Sequence, residues 1–342
     1  MQNPACSLIV KTHAFGDALL ATPGAEGLIA SGGSWRVLTG PSAAEVWKRL
    51  PGISGVTVAP FPPSGTAGLL GFLAWTAGNA ARLRGTDRAV VFHSSQSVRR
   101  WVRFLTSAPS RSGGSRPLGD WESVERIGQG DLASKTYARI AGVEIGDLRP
   151  RFKVAPDEEA WASDTLGPGR WIAIAPGGAR NPRDTVRQKQ WPAARFGEIA
   201  RRAGSHGYRC AFVGDAFDRP AASAAAAAAG VPVLDLCGKA GWGMTAAVLA
   251  RCSAFVGADS GAAHLSTAVS TPAVVLFGPT SPEALYAPGL VSAVRTSAGC
   301  APCYSNEVFR GCARRKAICM LDIDVDAVWA SLGNLLNADS GS

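Results

Sequence analysis

Short apolar runs separated by helix-like stretches recur along this chain, and that alternation limits its fold more than any other feature. "SLIV", "WRVLTG", "GVTVAP" and "RAVVFHS" mark the first half, and "RWIAIAPGG", "YRCAFVGD", "VPVLDLCG", "CSAFVGADSG" and "PAVVLFGPT" the second. Continuous apolar strands with intervening helices are the signature of βα units and buried parallel sheets. Two such series in 342 residues exceed what one core usually organises, so the sequence predicts two α/β domains, each a doubly wound parallel sheet, facing across a cleft. The proline-punctuated polar stretch "EIGDLRPRFKVAPDEEA" puts the boundary near residues 148 to 158, giving domains 1–152 and 153–337. "AASAAAAAAG" reads as a helix stopped by Gly230, "LDIDVDAVWASLGNLL" as one closing amphipathic helix, and "NADSGS" as a frayed tail.

No segment offers the roughly 18 uninterrupted apolar residues of a membrane span. The longest candidate, "AGLLGFLAWTAGNAA", is too short and too rich in glycine, and "MQNPACSLIVK" reads as a strand rather than a secretion signal. A cytoplasmic protein is expected. The formal net charge of +9 favours anionic company: nucleic acid, an acidic membrane surface or a phosphorylated substrate. Part of the excess lies between Arg82 and Arg126, where Arg99, Arg100 and Arg103 cluster, and a merely solvated basic face is the plain alternative.

Ligands of open parallel sheets bind at the carboxyl ends of the strands, so the loops there carry the candidate chemistry. In "KTHAFGDALLATP", Asp17 follows a glycine and precedes a helix; it suits either a capping role or a chemical one. In "APGGARNPRDTVRQKQWPAARF", the glycine pair Gly177 and Gly178 ends a strand, Arg180, Arg183 and Arg187 form a basic loop, and Lys189 stands just before Trp191-Pro192. A cation beside a helix start is useful when an anion is also present, which argues for a bound phosphate. In "VGDAFDRP", Asp215 and Asp218 are placed for ribose hydroxyls or for turn capping. In "FVGADSGAAHLSTA", small residues let a ligand approach a helix N-terminus suited to phosphate; Asp259 is placed for a hydroxyl or for the cap, and His264 for a ligand or for packing.

Four cysteines are isolated in apolar surroundings, while Cys300, Cys303, Cys312 and Cys319 share one short segment, 300–319. Their spacing is too wide for a regular zinc ribbon; reduced thiols, structural zinc and disulfides all fit it, reduced thiols being favoured.

Together, "IVKTHAFGDALLATPGAEGL", "IAIAPGG…KQWPAARFGEIARRA" and "FVGADSGAAHLSTAVSTPAVVLFGPTSPEALYAP" resemble the ordered motifs of glycosyltransferase family 9, the bacterial heptosyltransferases of lipopolysaccharide core assembly. The resemblance implies a GT-B fold, with an N-terminal acceptor domain, a C-terminal nucleotide-sugar domain, and inverting transfer that needs no metal or other cofactor. It assigns Asp17 as general base, Lys189 to the donor phosphates, Asp259, Ser260, Gly261 and His264 to the pyrophosphate and sugar, and Asp218 to the ribose. It further implies a nucleoside-diphosphate sugar donor, most commonly ADP-heptose, and a phosphorylated or acidic glycolipid acceptor held by the arginine-rich span or presented at the anionic inner membrane, with no nucleic acid partner. "THAFGD" departs from the Ser or Thr usual before Gly-Asp, and the loop before Lys189 is longer than usual. A nucleic-acid module built on the cysteines, or a GT-B nucleotide-sugar epimerase, are the rival readings; the first leaves both α/β series unexplained.

Overall fold

The computed structural model describes residues 6–61, 63–128, 130–178, 186–305, 308–309, 311–312, 314 and 317–339. Its contacts divide the chain into two units, Met1–Arg151 and Phe152–Ser342. The basic loop with Arg180 and Arg183 lies outside the described residues.

In the first unit the described residues form one parallel sheet of β1 (Cys6–Lys11), β2 (Ser34–Thr39), β3 (Ile53–Val58), β4 (Thr86–Val91), β5 (Ser110–Gly114) and β6 (Glu122–Arg126), in the order β3-β2-β1-β4-β5-β6. Helices α1 (Phe15–Ala30), α2 (Ala44–Lys48), α3 (Gly65–Leu83), α4 (Gln96–Thr106) and α5 (Ala133–Ala141) cover it. Leu8, Val10 and Val91 from the central strands pack with Val98, Val102 and Leu105 of α4, all essentially buried. The order reverses between β1 and β4, so their carboxyl ends diverge and open a crevice.

The second unit repeats this plan. Helix α6 (Pro156–Leu166) precedes β7 (Arg170–Ala175), α7 (Ala193–Ser205), β8 (Tyr208–Phe212), α8 (Arg219–Ala229), β9 (Val233–Asp235), α9 (Trp242–Ala250), β10 (Ala254–Ala258), α10 (Gly261–Ala268), β11 (Ala273–Phe277), α11 (Pro282–Leu285) and β12 (Ser292–Arg295). The sheet order is β12-β11-β10-β7-β8-β9, all parallel, with the reversal between β7 and β10. Ile172, Ile174, Phe212, Val256 and Leu276 fill the interior. The alanines of α8 let it press closely on α7: a Cβ on Gly197 would stand 2.3 Å from the Ala225 carbonyl oxygen.

Two sequence expectations need correction. The closing segment is two helices, α12 (Ile318–Asp322) and α13 (Val325–Asp339), because Ile323 is extended and Trp191 and Arg195 donate to its carbonyl. The expected frayed tail begins too early, since 337–339 continue α13, while 340–342 lie outside the described residues.

Candidate functional site

The switch point of the second sheet assembles most of the residues singled out there. Asp259 follows β10 and is 3% exposed; its Oδ2 accepts from Lys189 Nζ at 2.6 Å and its Oδ1 lies 3.5 Å from His264 Nε2. Burial alone would raise its pKa, but the Lys189 charge and the bonds from His264 and Lys189 outweigh it and hold the carboxyl below the usual range. The anion beside Lys189 is therefore a carboxylate of the chain itself. An ammonium has three donors, so this bond leaves capacity for a further acceptor. Lys189 closes a short 3-10 turn, Arg187–Lys189, and its Nζ lies 5.1 Å from the centre of the Tyr304 ring.

Around this pair, polar atoms are left over. Ser260 Oγ, His264 Nδ1, Thr280 Oγ1 and the Tyr286 hydroxyl are buried, and none has a hydrogen-bond partner among the described residues. The His264 ring stacks on Tyr286 with centroids 4.7 Å apart, and burial, aided by the Asp259 charge, pushes the Tyr286 hydroxyl well up from its ordinary pKa. Ser260 is the N-cap of α10, yet its hydroxyl does not cap the helix. Each orphaned polar atom costs about 1–3 kcal/mol, and those of Ser260, His264 and Tyr286, joined to Asp259 through the chain, the ion pair and the ring stack, ask for polar groups from outside the chain.

The loop after β7 approaches the same edge. Gly178 has φ +91°, and the position of its missing Cβ lies 3.4 Å from Ser260 Cβ. Its N–H donates to Asp218 Oδ1 at 2.9 Å, while the Asp215 N–H donates to Asp218 Oδ2 at 3.0 Å. Both oxygens of Asp218 are thus already engaged by backbone, so it clamps the glycine turn. Burial raises the Asp218 pKa, those N–H bonds pull it down, and the Asp215 charge adds to the rise. Asp215 itself accepts from the Phe217 N–H at 2.7 Å as a turn cap. A cavity of about 320 Å³ is lined by Pro176, Arg187, Gln190, Trp191, Pro192, Ala193 and Ala221.

In the first unit, Asp17 stands in the first turn of α1 rather than at its N-cap, which is Ala14. The Ala14 N–H reaches Asp17 Oδ2 at 3.5 Å, and the fully buried Lys11 Nζ lies 3.9 Å from the same oxygen. At 28% exposure the carboxylate remains accessible. The switch point between β1 and β4 also carries groups that the sequence did not announce. The Thr12 N–H donates to His93 Nε2 at 2.8 Å, the Thr12 hydroxyl bridges His93 Nε2 and His13 Nδ1, and the two imidazoles stack at 5.1 Å. His13 and His93 are 80 residues apart, and only the β1-β4 pairing joins them.

Arg99 corrects the reading of the basic span. It is 2% exposed, and its guanidinium forms a two-pronged pair with the fully buried Glu122, with Nε to Oε1 at 2.7 Å, and also donates to the Arg116 carbonyl. An arginine so enclosed is a core strut that ties α4 to β6. Arg103 donates to the Ser107 carbonyl and lies over Trp121, and Arg100 remains exposed.

Among the described residues, no group of three or more His, Cys, Asp or Glu side chains is arranged to hold a metal ion. Of the clustered cysteines, Cys300 is exposed, Cys303 and Cys312 are half-buried, and Cys319 is buried. No helix among them is long and apolar enough to cross a membrane.

Comparison with known proteins adds to this geometry. The profile of glycosyltransferase family 9 (heptosyltransferase) matches residues 124–312. Lipooligosaccharide heptosyltransferase 2 of Haemophilus influenzae is 30% identical over 158 residues, 43% of this chain and 44% of that protein, so the chain spans less than half the length of this curated relative. Among solved structures, ADP-heptose lps heptosyltransferase II of E. coli superposes with a TM-score of 0.73 at 19% identity, covering 98% of this chain and 99% of that one. The E. coli heptosyltransferase WaaC with ADP gives 0.67 at 16% identity, with 96% and 99% covered. These likenesses establish the fold, two parallel α/β units of the GT-B kind.

Proposed function

The chain belongs to glycosyltransferase family 9, and from that premise we propose that it transfers a sugar from a nucleoside-diphosphate donor to a phosphorylated or acidic glycan of the cell envelope, lipopolysaccharide core being the first candidate. The observation that carries this reading is the set of unpartnered buried polar atoms of Ser260, His264 and Tyr286 around the Lys189–Asp259 pair. The leaving diphosphate gathers negative charge as the glycosidic bond breaks, and a preorganised cation with the N-terminus of α10 answers that charge without reorganising. Ser260, Thr280, His264 and Tyr286 take the donor's phosphate and sugar oxygens. ADP-heptose is the donor to try first, because the E. coli relatives were solved as an ADP-heptose enzyme and with ADP.

Asp17 removes the proton of the acceptor hydroxyl as that oxygen attacks the anomeric carbon opposite the departing diphosphate, so the configuration inverts. Its 28% exposure supports this role, and the Lys11 ammonium 3.9 Å from its Oδ2 helps to hold it in place. Arg100 and Arg103 are the acceptor contacts that remain once Arg99 is removed from the set. The second unit takes the donor and the first the acceptor; Asp218 shapes the donor loop instead of reaching the ribose.

Thermal melts with ADP, GDP, UDP and CMP test this, with Lys189→Gln and Asp17→Asn beside the parent chain. One nucleoside diphosphate should raise Tm, Lys189→Gln should lose that shift, and Asp17→Asn should keep it while losing transfer from the matching nucleotide sugar. A folded protein whose Tm responds to no nucleotide would overturn the reading.

A further inference from the structure

We propose that His93 is a positioning residue for Asp17, its imidazole fixing the turn between β1 and α1 on which that carboxylate stands. Where β1 and β4 end, the Phe92 N–H still donates to the Val10 carbonyl at 2.9 Å, a backbone rung between the two segments. At Thr12 the His93 ring takes over. Its Nε2 accepts the Thr12 N–H at 2.8 Å and lies 3.1 Å from the Thr12 hydroxyl. Thr12 is fully buried and His93 only 4% exposed, and a backbone N–H so enclosed must find an acceptor. A side chain here supplies what a strand carbonyl supplies within the ladder. Further bonds complete the hold: the Thr12 carbonyl accepts the Gly40 N–H at 3.0 Å, and the Thr12 hydroxyl meets His13 Nδ1 at 2.9 Å. His93 is anchored in turn, its carbonyl accepting the Gly113 N–H at 3.2 Å.

What this hold fixes is the start of α1. Ala14, two residues past Thr12, is the N-cap: its carbonyl accepts the Ala18 N–H at 2.9 Å, and its N–H reaches Asp17 Oδ2 at 3.5 Å. The backbone of 12–14 therefore sets both where the helix begins and where the carboxylate points. Asp17 is the base in the transferase reading, on which this inference rests. A base must stand within hydrogen-bond reach of the proton it takes, and a displacement of about 1 Å can cost about a hundredfold in rate. An imidazole that merely filled the core would be replaceable by an apolar ring. One that holds the turn through Nε2 is replaceable only by a side chain that also accepts.

Steady-state release of ADP from ADP-heptose with lipopolysaccharide core as acceptor, or of the nucleotide that the melts select from its sugar conjugate, tests it. His93→Phe keeps a ring without an acceptor, and its kcat should fall about ten- to a hundredfold. Donor KM and the Tm rise with nucleotide should stay those of the parent, since the proposed donor groups lie in the second unit. His93→Gln, whose Oε1 accepts, should recover kcat to within about threefold of the parent. His93→Phe combined with Asp17→Asn should be no slower than Asp17→Asn alone, because a residue that acts through another adds nothing once the other is gone. A folded His93→Phe with the parent's kcat overturns the proposal, as do losses that multiply in the double variant or that His93→Gln fails to mend. Should His93→Phe not fold, Thr12→Val, which keeps the backbone N–H and the side-chain shape, is read in its place. Its kcat should drop severalfold at unchanged donor KM, with no further loss on the Asp17→Asn background, and an undiminished kcat overturns the proposal equally. A parent chain that transfers from no nucleotide sugar brings down the transferase reading itself, and this inference with it; an active parent with indifferent His93 variants brings down the inference alone.

Discussion

Removing the Lys189 ammonium would leave Asp259 buried with its main counter-charge gone. Lys189→Ala should therefore cost about 3 kcal/mol of unfolding free energy, and adding Asp259→Asn should restore much of it, because the second change removes the stranded charge; urea melts of both single variants and the double read the coupling. The pH dependence follows from the direction of the Asp259 shift. Its carboxyl is held below the ordinary range, so its contribution is present above the unfolded value of about 4 and fades as pH falls toward the lower folded value. Melts of the parent against the double variant should converge on the acid side. At this scale much of the site was legible. "FVGADSGAAHL" shows a strand ending abruptly in polar and small residues, and Lys189 shows itself by its place before Trp191-Pro192. Thr280 and Tyr286 were not legible as site residues, because their orphaned hydroxyls are a property of packing. Arg99 misled for the opposite reason: its partner Glu122 lies 23 residues on, and a list of charges does not say which one is enclosed.

Helix propensity and packing make opposite forecasts for Gly197→Ala. Alanine favours a helix interior by about 1 kcal/mol over glycine, yet here the added methyl would meet the backbone of α8 at Ala225 and Ala229, which cannot swing aside. Overpacking should win, lowering stability by about 2 kcal/mol in a urea melt; an unchanged or raised midpoint would mean that α7 and α8 can slide apart. Elements built on apolar runs were readable from sequence, and all nine such runs lie in the two sheets. Strands β5, "SRSGG", and β6, "ESVER", escaped notice because they carry almost no apolar side chains. They are held by parallel pairing beside β4 and by the Arg99–Glu122 strut, neither of which leaves a local pattern. The break between α12 and α13 was hidden likewise, since the donors that hold Ile323 extended come from Trp191 and Arg195, over a hundred residues away.

Over the whole molecule, each unit carries its own sheet, core and switch point, so a nucleotide bound as proposed should act locally. Hydrogen exchange with ADP should slow at 176–178, 259–264 and 280–286 and leave the amides of 12–17 and 93–99 unchanged; protection confined to the first unit would reverse the division of labour. The twofold βα alternation was legible because it depends only on the order of apolar runs. The thiols, finally, make the second unit its own reporter. Burial pushes Cys210 and Cys252 up to about 12, and Cys237 is raised too by burial and nearby carboxylates, whereas Cys300 is exposed. Thiolate is the form that alkylates, so iodoacetamide near neutral pH should mark Cys300 early and pass over the three interior cysteines. Label found later on Cys210, Cys237 or Cys252 by peptide mapping then counts openings of that interior, with no dye, tag or denaturant added.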